Sequence, residues 1–272
     1  MQLVDTHCHI HESDKLLKMN DDETRKRWKK AEYPTVQALI AQAAKADVTH
    51  MICVGCSLDD SKRAVALAPQ YDELLVSIGI HPHEAQKHVD QPQSLADFAA
   101  LATSPKVVAV GECGLDYYYQ NSPKDAQEKV LRFQIELALQ HDLPMIFHVR
   151  DAFDDFWTIF DEYEGIRGVI HSFSAGPKEL EQILARGLYV GLNGIMTFTK
   201  SDDQLNAAKA VPLHHLLLET DAPFLTPAPY RGTICEPKHV RVTAEFLAEL
   251  RGETLADIAK ATTHNAQMLF DF

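Results

Sequence analysis

The feature that most constrains this chain is an eightfold alternation of two patterns. Apolar runs near Leu3-Val4, His50-Val54, Leu74-Ile80, Val107-Val110, Pro144-Phe147, Gly168-Ile170, Leu188-Leu192 and Leu216-Leu218 each end in polar or Gly-rich turns. Between them lie amphipathic stretches such as Thr35-Ala46, Leu58-Ala68, Leu95-Ala102, Asp125-His141, Asp151-Glu162, Pro177-Arg186 and Gln204-Ala210, with apolar residues at i, i+3, i+4 and i+7. Parallel strands need helical crossovers, so this alternation predicts an α/β fold, a (β/α)8 TIM-like barrel. A chain of 272 residues suits one such barrel. No repeat, low-complexity tract or linker divides it, so residues 1–272 are expected to form a single domain, with two closing helices near Pro237-Leu250 and Leu255-Phe270.

The composition narrows the setting. No stretch has the length of an apolar membrane span, and Met1-Gln2 leads directly into Leu3-Val4 without a basic leader, which predicts a cytoplasmic protein with no membrane partner. Five scattered cysteines argue against a disulfide framework, and Cys53-Val54-Gly55-Cys56 has no second pair to complete a zinc site. The net charge of −13 opposes unguided binding to nucleic acid, so a polyanionic substrate would need local positive charge. The run Arg25-Lys26-Arg27-Trp28-Lys29-Lys30 is one source, if it is more than a solvated helix face, and bound divalent ions are another. The oligomeric state is left open; a monomer is compatible with everything above.

Five polar motifs fall where apolar runs end: Asp5-Thr6-His7-Cys8-His9, Gly111-Glu112, Phe147-His148-Val149-Arg150, Val169-Ile170-His171 and Glu219-Thr220-Asp221. Strand geometry points His7 and His9 to one face and Cys8 to the other. With 14 histidines in the chain, HxH spacing decides little by itself, and His9/His11 and His81/His83 share it. Recurrence of ligand-type residues at successive strand ends decides more. His7, His9, Glu112, His148, His171 and Asp221 make a nitrogen and oxygen donor set suited to two divalent ions (Zn, Mg or Mn) sharing Glu112, an arrangement that assists displacement at phosphorus or carbonyl carbon. Buried charges of this kind are costly to desolvate without cations.

The motifs, taken in order, resemble those of the TatD-type metal-dependent hydrolases, often described as deoxyribonucleases, within the amidohydrolase-like barrels. Asp5-Thr6-His7-Cys8-His9 resembles the family's D(T/S)HCH, Gly79-Ile80-His81-Pro82-His83 its GxHPH, and Gly111-Glu112-Cys113-Gly114-Leu115-Asp116-Tyr117 its GE(I/C)GLDY. Phe147-His148-Val149-Arg150, His171-Ser172-Phe173-Ser174, Leu218-Glu219-Thr220-Asp221-Ala222-Pro223 and Thr262-Thr263-His264-Asn265-Ala266 continue the match over nearly the whole chain. The resemblance implies that His7, His9, Glu112 and Asp221 hold one ion and Glu112, His148 and His171 the other. It also implies that Asp221 accepts a proton from the attacking water. Two features depart from the family pattern: Cys235 stands where asparagine is frequent, and the segment from Glu12 to Pro34 is longer than the compact form.

The expected activity is hydrolysis of a phosphodiester, at a nucleic-acid (DNA) end, with a small amide, ester or lactone on the same centre as the alternative. A metal-binding scaffold without turnover is a further rival. His81 is expected to face the cavity as a substrate donor or proton carrier, against a structural role for the HPH turn. Arg150 follows His148 by two residues, so its planar fork is placed to meet a phosphate, against a salt bridge to Asp116. Tyr117 to Tyr119 stack on bases or pack at the rim. His214 and His215 precede the eighth strand and carry no expected catalytic role.

Overall fold

The computed structural model describes residues 1–13, 23–33, 35–119 and 121–272; of the irregular stretch from Glu12 to Pro34, residues 14–22 and 34 lie outside these. Eight strands lie in one sheet in chain order: β1 (Leu3–Cys8), β2 (Val48–Val54), β3 (Leu74–Ile78), β4 (Val107–Asp116), β5 (Met145–Arg150), β6 (Gly168–Ile170), β7 (Tyr189–Leu192) and β8 (Leu216–Leu218). With helices between successive strands this is the (β/α)8 barrel expected from the alternation.

The chain clusters into two compact units. In the first, Met1–Cys53 with Ser172–Met268, β1 runs parallel to β2 with Leu3 opposite Val48 and Cys8 opposite Cys53. There β7 runs parallel to β8, and Cys8 bridges Ala222 beyond the end of β8. Every residue of β1 and β8 is buried, as parallel strands covered on both faces require. The helix Val36–Lys45 starts where the Thr35 hydroxyl accepts the Ala38 N–H at 3.2 Å. It buries Val36, Leu39, Ile40 and Ala43, the i, i+3, i+4, i+7 stripe. The chain closes with helices Val240–Arg251 and Leu255–Phe270, close to their expected bounds.

The second unit, Val54–His171 with Leu269–Phe272, pairs β3 with β4, β4 with β5 and β5 with β6, all parallel. Here β4 runs six residues beyond the expected end at Val110, because Cys113 to Asp116 continue to pair with Phe147 to Arg150. Glu112 and His148 therefore lie inside strands rather than at their ends. Glycine makes this extension possible. Gly114 has a positive φ of 147°, and a Cβ there would stand 1.9 Å from the His148 carbonyl oxygen. The helix Lys124–Gln140 packs Val130, Leu131, Gln134, Ile135 and Ala138 inward, and Gln134 donates to Ile80 O at 3.0 Å while accepting its N–H at 2.8 Å.

Candidate metal centre

Two donor clusters form, one in each unit. In the first, His7 Nε2 and His9 Nε2 stand 3.5 and 3.3 Å from the same oxygen of Asp221. The alternation of β1 does this: both rings project together, with centroids 5.2 Å apart, while the Cys8 thiol turns to Ile52 O. Backbone bonds lock the register, since Asp221 N–H donates to His7 O and His9 N–H to Ala222 O, each at 2.8 Å. Asp5, fully buried, accepts Thr220 N–H at 2.9 Å, the Thr220 hydroxyl at 2.6 Å and His7 N–H at 3.3 Å. Burial pushes its carboxyl well above the ordinary range, against the pull of those bonds. Asp5 thus ties the strand bearing His7 to the turn bearing Asp221. Glu219, the other acid of that motif, accepts Ser172 N–H at 2.6 Å and Asn193 Nδ2–H at 3.2 Å and serves as a loop anchor.

In the second unit three imidazoles converge on one oxygen of Glu112: His171 Nε2 at 2.7 Å, His148 Nδ1 at 2.8 Å and His81 Nε2 at 3.5 Å. Burial alone would raise the Glu112 carboxyl, but His171, His81 and His148 outweigh it and hold the group well below the ordinary range. His81 is pushed down to about 4, chiefly by burial, against the attraction of Glu112. His148 is raised; burial lowers it, but Asp116 and Glu112 outweigh the burial.

Asp116 has a place that its motif position alone does not disclose. It is fully buried, and one of its oxygens lies 3.1 Å from His148 Nε2 and 2.9 Å from His83 Nε2. His148 therefore offers one ring nitrogen to Glu112 and the other to a fixed carboxylate, the arrangement that orients metal-ligating histidines. The sequence signal was a buried-type acid at i+4 from Glu112 on a strand, one face shared. Cys56 also comes close, its thiol 3.7 Å from Glu112 Oε2.

Both clusters fit divalent cations. The donors of His7, His9 and Asp221 lie within 4.8 Å of one another, as do those of His81, Glu112 and His148. Imidazole with carboxylate is the donor chemistry of zinc or manganese sites. Arg150 joins neither cluster. Its side chain is exposed over the rings of Tyr118 and Tyr119, and no described carboxylate pairs with it, so the salt bridge to Asp116 does not form. The basic run also divides: Arg25 is buried against Glu12 at 2.8 Å and Trp28 is buried, donating from Nε1 to His9 O at 3.0 Å. Lys26, Lys29 and Lys30 of that run are exposed and Arg27 is half-exposed, whereas the buried Trp28 is unavailable for stacking.

Fold and donor clusters together define a metal-dependent hydrolase on a (β/α)8 barrel. The family model described as TatD related DNase matches residues 4–271, and the chain belongs to the TatD family. It is 36% identical over 271 residues to an uncharacterized metal-dependent hydrolase of Bacillus subtilis strain 168, covering 98% of each chain. It is also 36% identical over 242 residues to the 3′-5′ ssDNA/RNA exonuclease TatD of Cronobacter sakazakii, covering 85% of this chain and 90% of the other. Among solved structures, the Escherichia coli K12 TatD homolog YjjV superposes with a TM-score of 0.83 at 29% identity, over 99% of this chain and 98% of that one. No described helix is long and apolar enough to cross a membrane.

Proposed function

We propose that this protein is a divalent-metal-dependent phosphodiesterase that hydrolyses nucleic acid, DNA in particular, from its ends. The observation that carries the proposal is the convergence of His81, His148 and His171 within 3.5 Å of one Glu112 oxygen. Three imidazoles around a single carboxylate, and two imidazoles with an aspartate in the other unit, are donor sets suited to cations. In this reading His7, His9 and Asp221 would hold one ion and Glu112, His148 and His171 the other, as the family resemblance implies. Bound ions would lower the pKa of water and neutralise charge on the scissile group.

The remaining work falls to side chains. Asp221 accepts the proton of the attacking water. Asp116 holds His148 in one orientation, and Asp5 holds the Asp221 turn. His81, with its depressed pKa, is neutral near pH 7 and offers a hydrogen bond to the substrate. Arg150 contacts the phosphate with its planar fork. The similarity to an ssDNA/RNA exonuclease supports a nucleic-acid substrate. The net charge of −13 instead favours a small ester or amide. Purified protein reloaded separately with Zn, Mn or Mg, offered a labelled single-stranded oligonucleotide beside a panel of small esters, amides and lactones, separates the two. Progressive shortening of the oligonucleotide, faster than any small substrate is cleaved, is the expected result. Hydrolysis confined to the small panel would overturn the proposal.

A further inference from the structure

Tyr118 and Tyr119 are 58% and 55% exposed, among the largest apolar side chains the described surface presents. They are nonetheless fixed in place. Their backbone N–H groups donate at 3.0 and 2.9 Å to Asp116 Oδ1, and the Tyr117 N–H donates to Arg150 O at 3.0 Å. Asp116 is itself clamped, since Gln127 accepts its N–H at 2.8 Å and donates to its carbonyl at 3.1 Å. The two rings meet edge to face, centroids 4.9 Å apart at 86°, and the Arg150 guanidinium lies 4.1 Å over one and 4.8 Å over the other. By contrast, Tyr117 is half-buried beneath Lys124 and is spent on packing.

We infer that Tyr118, Tyr119 and Arg150 form a nucleotide subsite, in which an exposed tyrosine ring stacks on a base and the Arg150 guanidinium holds the phosphate of that nucleotide. The inference rests on the phosphodiesterase reading above and adds to it the place where a base is bound. Three observations carry it. A guanidinium lying flat on rings keeps its N–H edge open, and Arg150 has no ion pair among the described residues that would compete for that edge. Aromatic rings already ordered by a buried anchor lose little freedom when a ligand stacks on them. The platform adjoins the donor cluster through one residue, because Asp116 also bonds His148 and His83, and the His83 ring stands 5.5 Å from Tyr119 and 4.4 Å from His81. A planar base joined to an anion is the ligand that meets both the rings and the fork, and stacking of this kind tolerates any base.

Calorimetric binding of AMP and of ribose 5-phosphate to the metal-loaded protein tests the subsite without requiring turnover. The wild type is expected to bind AMP about tenfold more tightly than ribose 5-phosphate. Tyr118→Phe/Tyr119→Phe keeps that ratio, and Tyr118→Ala/Tyr119→Ala brings it close to one. Should the double alanine variant not fold, Tyr118→Ala alone is expected to reduce the ratio about threefold. Arg150→Lys weakens both ligands by a similar factor. Equal affinities of the wild type for the two ligands, or a preference undiminished in the alanine variants, would overturn the subsite. Oligonucleotide hydrolysis without any AMP preference refutes the subsite alone. An AMP preference without oligonucleotide hydrolysis refutes the phosphodiesterase reading alone.

Discussion

Replacing Asp116 by Asn keeps the shape of the side chain and one oxygen for the Tyr118 and Tyr119 N–H groups, but removes the charge that faces His148 Nε2 at 3.1 Å and His83 Nε2 at 2.9 Å. Two effects on ion binding then oppose each other. Loss of the carboxylate frees the His148 ring to turn, and removal of such an orienting partner typically costs about 10- to 100-fold in metal affinity or activity, roughly 1.4 to 2.7 kcal/mol. Against this, burial lowers the His148 pKa while Asp116 and Glu112 raise it, so the variant's imidazole is more easily neutral and a proton competes less with the ion. Above the raised pKa the proton no longer matters and the orientation loss stands alone. As pH falls through it, the wild type is increasingly protonated at His148 and the gap narrows. Competition titrations against a chelating indicator at pH 8 and at pH 6 measure this, with turnover followed in parallel. The expected deficit is about 10- to 100-fold at pH 8 and smaller at pH 6. Wild-type affinity at pH 8, or a deficit that widens at pH 6, would refute the reasoning.

Three further outcomes are expected. Arg25→Ser removes the cation that meets the buried Glu12 carboxylate at 2.8 Å and should destabilise the fold by about 3 kcal/mol in denaturant titration, whereas Lys26→Ser should change stability by less than about 0.5 kcal/mol. Burial, then the neighbouring Lys238, pushes His239 down to about 4, so the unfolded chain binds a proton between about 6.5 and 4 that the fold does not; stability is present above that window and is lost, by about 3 kcal/mol, as pH falls through it. His239→Gln, retaining an acceptor for the Glu236 N–H, should flatten the pH dependence of urea unfolding of the ion-free protein over that window, and an unchanged slope would refute the assignment. Arg150→Lys keeps the charge and loses the fork, and should lower kcat/KM on an oligonucleotide by about 10- to 100-fold at unchanged metal content; wild-type kinetics would remove Arg150 from the phosphate site.

Much of the barrel was legible because its period is coarse: apolar runs of β1, β3, β6 and β8 are buried throughout, and helix Val36–Lys45 buries the stripe its spacing announces. The extent of β4 was not, because Gly111 and Gly114 look like breakers until the close approach of the Ile146 carbonyl to the first and the His148 carbonyl to the second explains them. His7 and His9 were legible through strand alternation, and the structure brings both to Asp221. The roles of Asp5 and Asp116 were not, since a buried anchor and a solvated acid have the same letter; only the partners Thr220 and His148 tell them apart. Arg25 to Lys30 misled for the converse reason. A run of cations suggests a surface patch, but helical geometry turns Arg25 and Trp28 inward and leaves Lys26, Arg27, Lys29 and Lys30 toward solvent.

In the function proposed above, bound divalent ions at these clusters make the protein a hydrolase of nucleic-acid ends. Elemental analysis of metal-loaded wild type and Glu112→Gln, with oligonucleotide hydrolysis followed before chelation, after chelation and after reloading, tests it most directly. Two ions per wild-type chain, fewer in Glu112→Gln, and turnover that disappears on chelation and returns on reloading are the expected results. No retained ion after loading at neutral pH, or hydrolysis indifferent to the chelator, would contradict the claim.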